Sequence, residues 1–185
     1  MTVIEHMDKR NLKSNGIFID FTISREAWDI HKLSDGTKVK ARVVLTSMMA
    51  DQTLQEVEKQ IREGQKPTLA THFNFQTLMS TESPIELRGE TGNAKYTYEE
   101  LKLCIISPNL DFETLYQSWN VYSLGFGHTL KVRLVPINFS KTSKFDDNGM
   151  PVYVVDLSVD AKMELSPELQ KILEKNRNKN ALKAP

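Results

Sequence analysis

Five basic residues on two predicted strands are the strongest candidates for chemistry in this chain. Residues at a spacing of two share one face of a strand. A row of cations on one face can follow the phosphates of a nucleic acid or contact a protein partner. The alternative is a solvated face whose charges pair with Asp20, Asp111 or Asp29 on neighbouring strands. The five residues are Lys38, Lys40, Arg42, Lys131 and Arg133.

The other reactive residue types form no catalytic or metal-binding pattern. The four histidines lack metal-ligand spacing, both with one another and with Cys104, so each is expected to be an ordinary core or surface residue. Cys104 has no predicted base beside it and is expected to be an inert small hydrophobe. The DDNG stretch at 146–149 is too short for a calcium loop, and LGFGH at 124–128 lacks the context of a phosphate loop. We therefore expect no catalytic residue, no metal and no cofactor.

Two predicted hairpins position the basic residues. In WDIHKLSDGTKVKARVVL, residues 28–45, two short strands flank Asp35 and Gly36. Asp-Gly favours a two-residue type I′ turn, in which both residues have positive φ. The returning strand alternates apolar and basic residues, so its apolar face is predicted to point into the core. WNVYSLGFGHTLKVRLVP, residues 119–136, has a similar pattern.

Helix-capping signals predict three helices around these hairpins. Thr53 has capping-box spacing to an acidic residue and begins an amphipathic helix that stops at Gly64. Thr97 begins a second helix, predicted to run through Ile105. Ser166, followed by proline, begins the third. Runs rich in β-branched and aromatic residues predict further strands after Gly16, after the proline at 67 and after the turn at 146–149.

A shift of 91 residues aligns the segment 20–44 with 111–135 without a gap, and eight of the 25 positions are identical. Trp28/Trp119 and Phe21/Phe112 are among these pairs and are expected to be core anchors, since large aromatics dominate small cores. The identical pairs are Asp20/Asp111, Phe21/Phe112, Trp28/Trp119, Leu33/Leu124, Gly36/Gly127, Lys40/Lys131, Arg42/Arg133 and Val44/Val135.

The predicted fold class is α+β and β-rich. It consists of two tandem repeats of strand–hairpin–strand–helix, packed as a small barrel or as a pseudo-twofold pair of small barrels. The predicted divisions are a flexible N-terminus at 1–15, one unit at 16–107, a second unit at 108–174 and a basic disordered tail at 175–185.

Composition restricts the compartment and the partners. The 185 residues contain 24 Lys and Arg against 24 Asp and Glu, so bulk charge provides no attraction to nucleic acid or membrane. A single cysteine excludes an intramolecular disulfide, and no apolar run is long enough to span a membrane. We expect a soluble cytoplasmic protein without a membrane partner.

Three functions fit these observations. The first is a non-enzymatic binding or assembly protein that presents duplicated β-rich surfaces to a macromolecular partner or to copies of itself. The second is a nucleic-acid-associated protein that uses the basic strand faces and the basic C-terminal tail. The third is an enzyme with a pocket between the two units, which would gather polar residues from both.

Overall fold

A computed structural model describes residues 16–67, 69–92 and 95–181 of the chain. The predicted flexible segment 1–15 and the last four residues of the predicted tail lie outside these ranges. In chain order, the elements are β1 Ile17–Phe18, β2 Thr22–Arg25, β3 Asp29–Leu33, β4 Lys38–Ala50, α1 Leu54–Arg62, β5 Thr71–Glu82, α2 Tyr98–Leu103, β6 Ile105–Ser107, β7 Phe112–Tyr116, β8 Asn120–Ser123, β9 Thr129–Phe145, β10 Pro151–Glu164 and α3 Pro167–Ala181.

The strands form two five-stranded antiparallel sheets, in a sheet-rich α+β fold. Sheet A contains β1, β3, β4, β5 and β7, and sheet B contains β2, β6, β8, β9 and β10. The prediction of a closed barrel is wrong. Among the described residues, β5 pairs only with β4 and β10 pairs only with β9, so each sheet keeps an open edge where a barrel would have to close.

The two halves of the chain exchange strands. β2 leaves the first half to pair with β8 in sheet B, and β7 leaves the second half to pair with β3 in sheet A. The chain passes between the sheets at 26–28 and again at 117–119, and we call this region the crossing. Strands that switch sheets in this way make the corners of orthogonal β packings.

Two buried polar side chains hold the crossing together. The Asp29 carboxylate accepts a hydrogen bond from the backbone N–H of Ser118 at 2.9 Å. The Asn120 amide oxygen accepts one from the N–H of Ala27, also at 2.9 Å. The Asn120 Nδ2 donates to the carbonyl of Val43 at 2.6 Å, so the amide satisfies one backbone group of the crossing and one of β4.

The core lies between the sheets. The apolar faces of β4 and β9 meet in one cluster, which contains Ala41, Val43, Leu45, Leu130, Val132 and Leu134. The predicted alternation of buried apolar and outward basic residues on β4 is therefore confirmed. A second cluster joins Val57 and Ile61 of α1 to Leu169 of α3. No helix among the described residues has the length and apolar character to cross a membrane.

The first hairpin is confirmed, but its turn differs from the prediction. Gly36 has a φ of 90°, and no positive φ occurs at Asp35. The N–H of Gly36 donates to the carbonyl of Leu33, and the N–H of Leu33 donates to that of Thr37. These bonds describe a three-residue loop with glycine in the left-handed position, which satisfies the strand twist with one positive φ rather than two.

Both capping boxes are confirmed, while the predicted end of the second helix is wrong. In α1 and α2 the hydroxyls of Thr53 and Thr97 each accept a hydrogen bond from the backbone three residues later. α2 ends at Leu103, because the chain then joins the edge of β9 as strand β6. α3 continues through Ala181, so the part of the predicted disordered tail up to that residue is helical.

Candidate functional site

The five predicted basic residues lie on the outer faces of β4 and β9, away from the core. Lys38, Lys40 and Arg42 alternate with buried residues of β4, and Lys131 and Arg133 do the same on β9. Each sheet therefore carries part of the predicted site. The strand period positions them, because the residues between them fill the core.

A tryptophan stacks on the arginine of each face. The Arg42 guanidinium carbon lies 5.0 Å from the centre of the Trp28 ring. The Arg133 guanidinium carbon lies 4.5 Å from the centre of the Trp119 ring. Both distances are within cation–π range. Trp28 is 37% exposed, so the prediction that it is a core anchor is wrong, and Trp119 is only half-buried.

On sheet B, acidic residues of β10 neutralise the basic residues. Asp160 lies directly opposite Arg133 and accepts hydrogen bonds from its Nε and Nη2 at 3.1 and 2.9 Å. The Lys131 ammonium lies 2.8 Å from Glu164. Lys162 reaches the same carboxylate at 3.1 Å. These bonds hold the pKa of Glu164 below its usual value.

On sheet A, the corresponding charges are far less neutralised. Arg42 approaches Glu26 only to 3.8 Å. Lys38 and Lys40 make no ion pair with any described residue. The predicted pairing of the stripe with Asp20, Asp111 or Asp29 is not found, since the partners are Glu26, Asp160 and Glu164.

Glu26 connects the outer face of sheet A to the core. One oxygen of its carboxylate accepts a hydrogen bond from the Tyr122 hydroxyl at 2.9 Å, and the other faces Arg42. The same hydroxyl accepts the backbone N–H of Leu45 at 3.0 Å. Burial, together with the negative charge of Glu26, raises the pKa of Tyr122 to about 12. The phenol therefore stays protonated and acts as a structural donor.

The two outer faces meet at the crossing. Tyr116 pairs with Ile30, which pairs with Lys40, so the three share the outer face of sheet A. Arg25 pairs with Val121 on the outer face of sheet B. Arg25 Nη2 donates a hydrogen bond to the Tyr116 hydroxyl at 2.8 Å, which joins the two faces. We call this surface the ridge; it consists of Arg25, Trp28, Ile30, Arg42, Tyr116, Trp119, Val121 and Arg133.

Comparison of the chain with protein-family models, with curated proteins and with solved structures finds no match. In the part of the chain that the structure describes, no group of three or more His, Cys, Asp or Glu residues is arranged to hold a metal ion.

A second polar cluster lies at the other end of the sheets. The Tyr153 hydroxyl donates to Asp35 at 2.8 Å and lies 2.8 Å from the Thr37 hydroxyl, which in turn lies 3.0 Å from that of Ser83. Burial raises the pKa of Tyr153 to about 12, so this phenol cannot act as a base near neutral pH. Lys141 lies 3.6 Å from the Asp35 carboxylate.

Sequence reasoning located the basic residues but missed their aromatic partners. Trp28 precedes Arg42 by the same interval as Trp119 precedes Arg133, and this shared spacing was the available signal. The acidic partners on β10 could not be assigned, because their pairing depends on the register between β9 and β10. Tyr116 and Arg25 were missed because the shift of 91 residues aligns them with each other as two different residue types.

Proposed function

We propose that this protein is a non-enzymatic binding protein that docks a protein partner on the ridge. The observation that carries the proposal is the clustering of exposed Trp28 and Tyr116 with Arg25, Arg42 and Arg133 around the crossing. Tryptophan, tyrosine and arginine are the residue types that dominate binding energy at protein interfaces. The two Trp–Arg stacks arrange these side chains before any partner arrives, which lowers the entropy cost of binding.

The charge of the ridge favours a protein over a nucleic acid. Asp160 and Glu164 neutralise the basic residues of sheet B, and the whole chain has no net charge. Affinity for nucleic acid grows with the number of phosphates that free cations neutralise. A protein interface instead uses a mixture of aromatic residues and paired charges.

Nucleic acid binding is the second candidate, and one observation favours it. Lys38 and Lys40 have no ion-pair partner among the described residues, and they share an outer face with exposed Tyr116. Free cations beside an exposed aromatic ring are the elements of a single-strand binding surface. This candidate uses sheet A alone.

We also infer that the ridge arose by tandem duplication of one strand–hairpin–strand unit. Contacts related by the shift of 91 support it. Phe21 meets Tyr122 edge-on at 5.5 Å, and Phe112 meets His31 edge-on at 5.9 Å. The Asp29–Ser118 and Asn120–Ala27 hydrogen bonds are a second such pair. A duplicated ridge has a pseudo-twofold axis through it and can engage a symmetric partner or a further copy of the chain. We propose a cytoplasmic location, supported by the single cysteine.

The proposal is tested by purifying the protein at low salt without nuclease and comparing three forms. These are the parent, the double variant Trp28→Ala with Trp119→Ala, and Phe126→Ala as a control. Phe126 is 58% exposed in the turn between β8 and β9, outside the ridge. Size-exclusion chromatography with light scattering gives the mass, and absorbance at 260 and 280 nm reports nucleic acid.

We expect the parent to co-purify with a protein or to self-associate. The double variant should lose this interaction, and Phe126→Ala should retain it. Loss of about tenfold or more in affinity is expected for two aromatic anchors. A 260 nm signal that disappears in high salt would favour the nucleic acid candidate instead. If the double variant behaves as the parent does, the ridge is not the binding surface.

A further inference from the structure

An open groove of about 650 Å³ runs between the two sheets on the side where a barrel would close. Met79, Ser80 and Thr81 of β5 line one side. Residues 150–153 line the other, at the beginning of β10. The groove therefore gathers residues from both halves of the chain, at a distance in sequence from the ridge.

The groove is bounded by strand edges rather than by strand faces. Successive residues of a strand point to opposite faces. A groove lined by three successive residues, such as Met79, Ser80 and Thr81, therefore follows the edge of β5 itself. The same argument applies to Pro151, Val152 and Tyr153 of β10. Among the described residues, both edges lack a pairing strand on this side.

The inner side of the groove is apolar and one end carries charge. Val39, Met79 and Val155 provide apolar surface below it. The turn between β9 and β10 contributes Asp146 and Asp147 at one end, with Arg88 as the single cation in the lining. A backbone hydrogen bond from Gly89 to Gly149, at 3.0 Å, ties the segment after β5 to this turn. The lining is therefore net acidic near the turn.

We propose that this groove binds an extended polypeptide segment of a partner protein as an added β-strand. Its backbone would complete the unpaired edges of β5 and β10, its alternate side chains would contact the apolar floor, and a basic residue would face Asp147. Strand addition to an exposed edge obtains affinity from main-chain hydrogen bonds and specificity from alternate side chains. This activity is separate from docking on the ridge and goes beyond it.

The dimensions of the groove suit such an occupant. With a rise of about 3.3 Å per residue, strands about 4.8 Å apart and layers about 10 Å thick, the groove holds about four residues of extended chain. That length suits a short linear segment and is too small for a folded domain. A long edge strand that is left open attracts foreign strands, so natural proteins usually cover or charge it.

A designed peptide tests the proposal on the full chain. The probe is a fluorescein-labelled hexapeptide that alternates valine and threonine and carries one terminal lysine. The comparison peptide has proline in place of both threonines, which removes backbone donors and extended pairing. Fluorescence polarisation gives the affinities, and hydrogen–deuterium exchange reports which backbone amides become protected.

We expect the alternating peptide to bind and to slow exchange at Met79–Thr81 of β5 and along residues 153–155 of β10, while the proline peptide does neither. Asp147→Lys should weaken binding by about fivefold, the equivalent of about one exposed charge pair. Asp20→Lys, which makes the same charge change at an exposed acid outside the groove lining, should leave binding within about twofold.

Three outcomes would overturn the proposal. They are equal affinity for both peptides, protection at the edges of β2 or β7 instead of the groove, and no binding of the alternating peptide. None of these results depends on the ridge. The variants Trp28→Ala and Trp119→Ala should retain peptide binding, so failure here and failure of the proposed function can be distinguished.

Discussion

The two outer faces of this protein have equivalent positions but different electrostatics. Arg42 and Arg133 both stack on a tryptophan, yet only Arg133 makes hydrogen bonds to an opposing carboxylate. The difference comes from the edge strand that pairs with each basic strand, β5 with β4 and β10 with β9. β10 places Asp160 opposite Arg133, whereas β5 places Leu78 opposite Arg42. Neighbouring strands, rather than the basic strand itself, therefore decide whether a basic stripe is available to a partner.

The same contrast occurs inside the molecule. Asp29 and Asn120 hold the crossing at equivalent positions, one with a carboxylate and the other with an amide. Burial raises the pKa of Asp29, although its hydrogen bond from Ser118 and the charge of Arg133 act in the opposite direction. Asn120 makes its contacts without a charge to desolvate, and it satisfies a second backbone group as well.

The largest expected effect separates these two residues. Asn120→Ala leaves the N–H of Ala27 and the carbonyl of Val43 buried without partners, and should lower the free energy of unfolding by about 2–4 kcal/mol. Asp29→Asn keeps an acceptor for Ser118 and should cost less than about 1 kcal/mol. Urea denaturation of both variants measures the difference. Equal effects would mean that the two halves of the crossing contribute alike.

The next effect is the pH dependence of stability. His31 and His128 are both fully buried, and burial lowers the pKa of each, although Glu58 raises that of His128 in part. As the pH falls, these histidines therefore bind protons first in the unfolded state, near pH 6.5. The free energy of unfolding should be constant above that pH and fall below it, by at most about 1.4 kcal/mol per pH unit for each histidine.

A single variant, His128→Thr, separates the contributions of His128 and His31 to the pH dependence of stability. His128 occupies the position that Thr37 holds in the first half, and its Nδ1 accepts the N–H of Ser166 at the beginning of α3. His128→Thr should remove its share of the slope between pH 6.5 and 5.5 and leave that of His31. Urea denaturation across this range measures it, and an unchanged slope would exclude His128 as a source.

The smallest expected effect concerns the surface ion pairs. A double-mutant cycle on Arg133 and Asp160 should give a coupling of about 0.5–1 kcal/mol, because Asp160 accepts two hydrogen bonds at partial exposure. The same cycle on Arg42 and Glu26 should give less than about 0.5 kcal/mol at 3.8 Å. A larger coupling on sheet A would contradict the comparison of the faces.

Local features, including the first hairpin, could be predicted from the sequence, and features that depend on pairing between distant strands could not. The caps at Thr53 and Thr97 and the inward face of β4 follow from spacing within a few residues. The prediction that α2 continues through Ile105 was wrong, because pairing of β6 with β9 overrides helix propensity. The crossing was also missed. Nothing local to 26–28 or 117–119 indicates that the strands on either side belong to different sheets.

The candidate site follows the same division. Lys38, Lys40, Arg42, Lys131 and Arg133 were predicted to share outward faces, and they do. The ridge depends on Arg25 reaching Tyr116, and this contact exists only once β2 has paired with β8 and β7 with β3. A pocket between the two units was expected only as the site of an enzyme. Its position between the open edges of β5 and β10 was not predicted, because a closed barrel was expected there.

The exchanged strands also affect how this chain folds during its synthesis. Thr22 pairs with Ser123, so β2 leaves the ribosome long before the strand that receives it has been synthesised. Until then its four residues have no sheet to join, and the apolar side of β3 and β4 lacks the facing layer of β8 and β9. Contacts so distant in sequence slow folding and leave strand edges open to other nascent chains. The first half of this protein is therefore expected to be the part most prone to aggregation during synthesis.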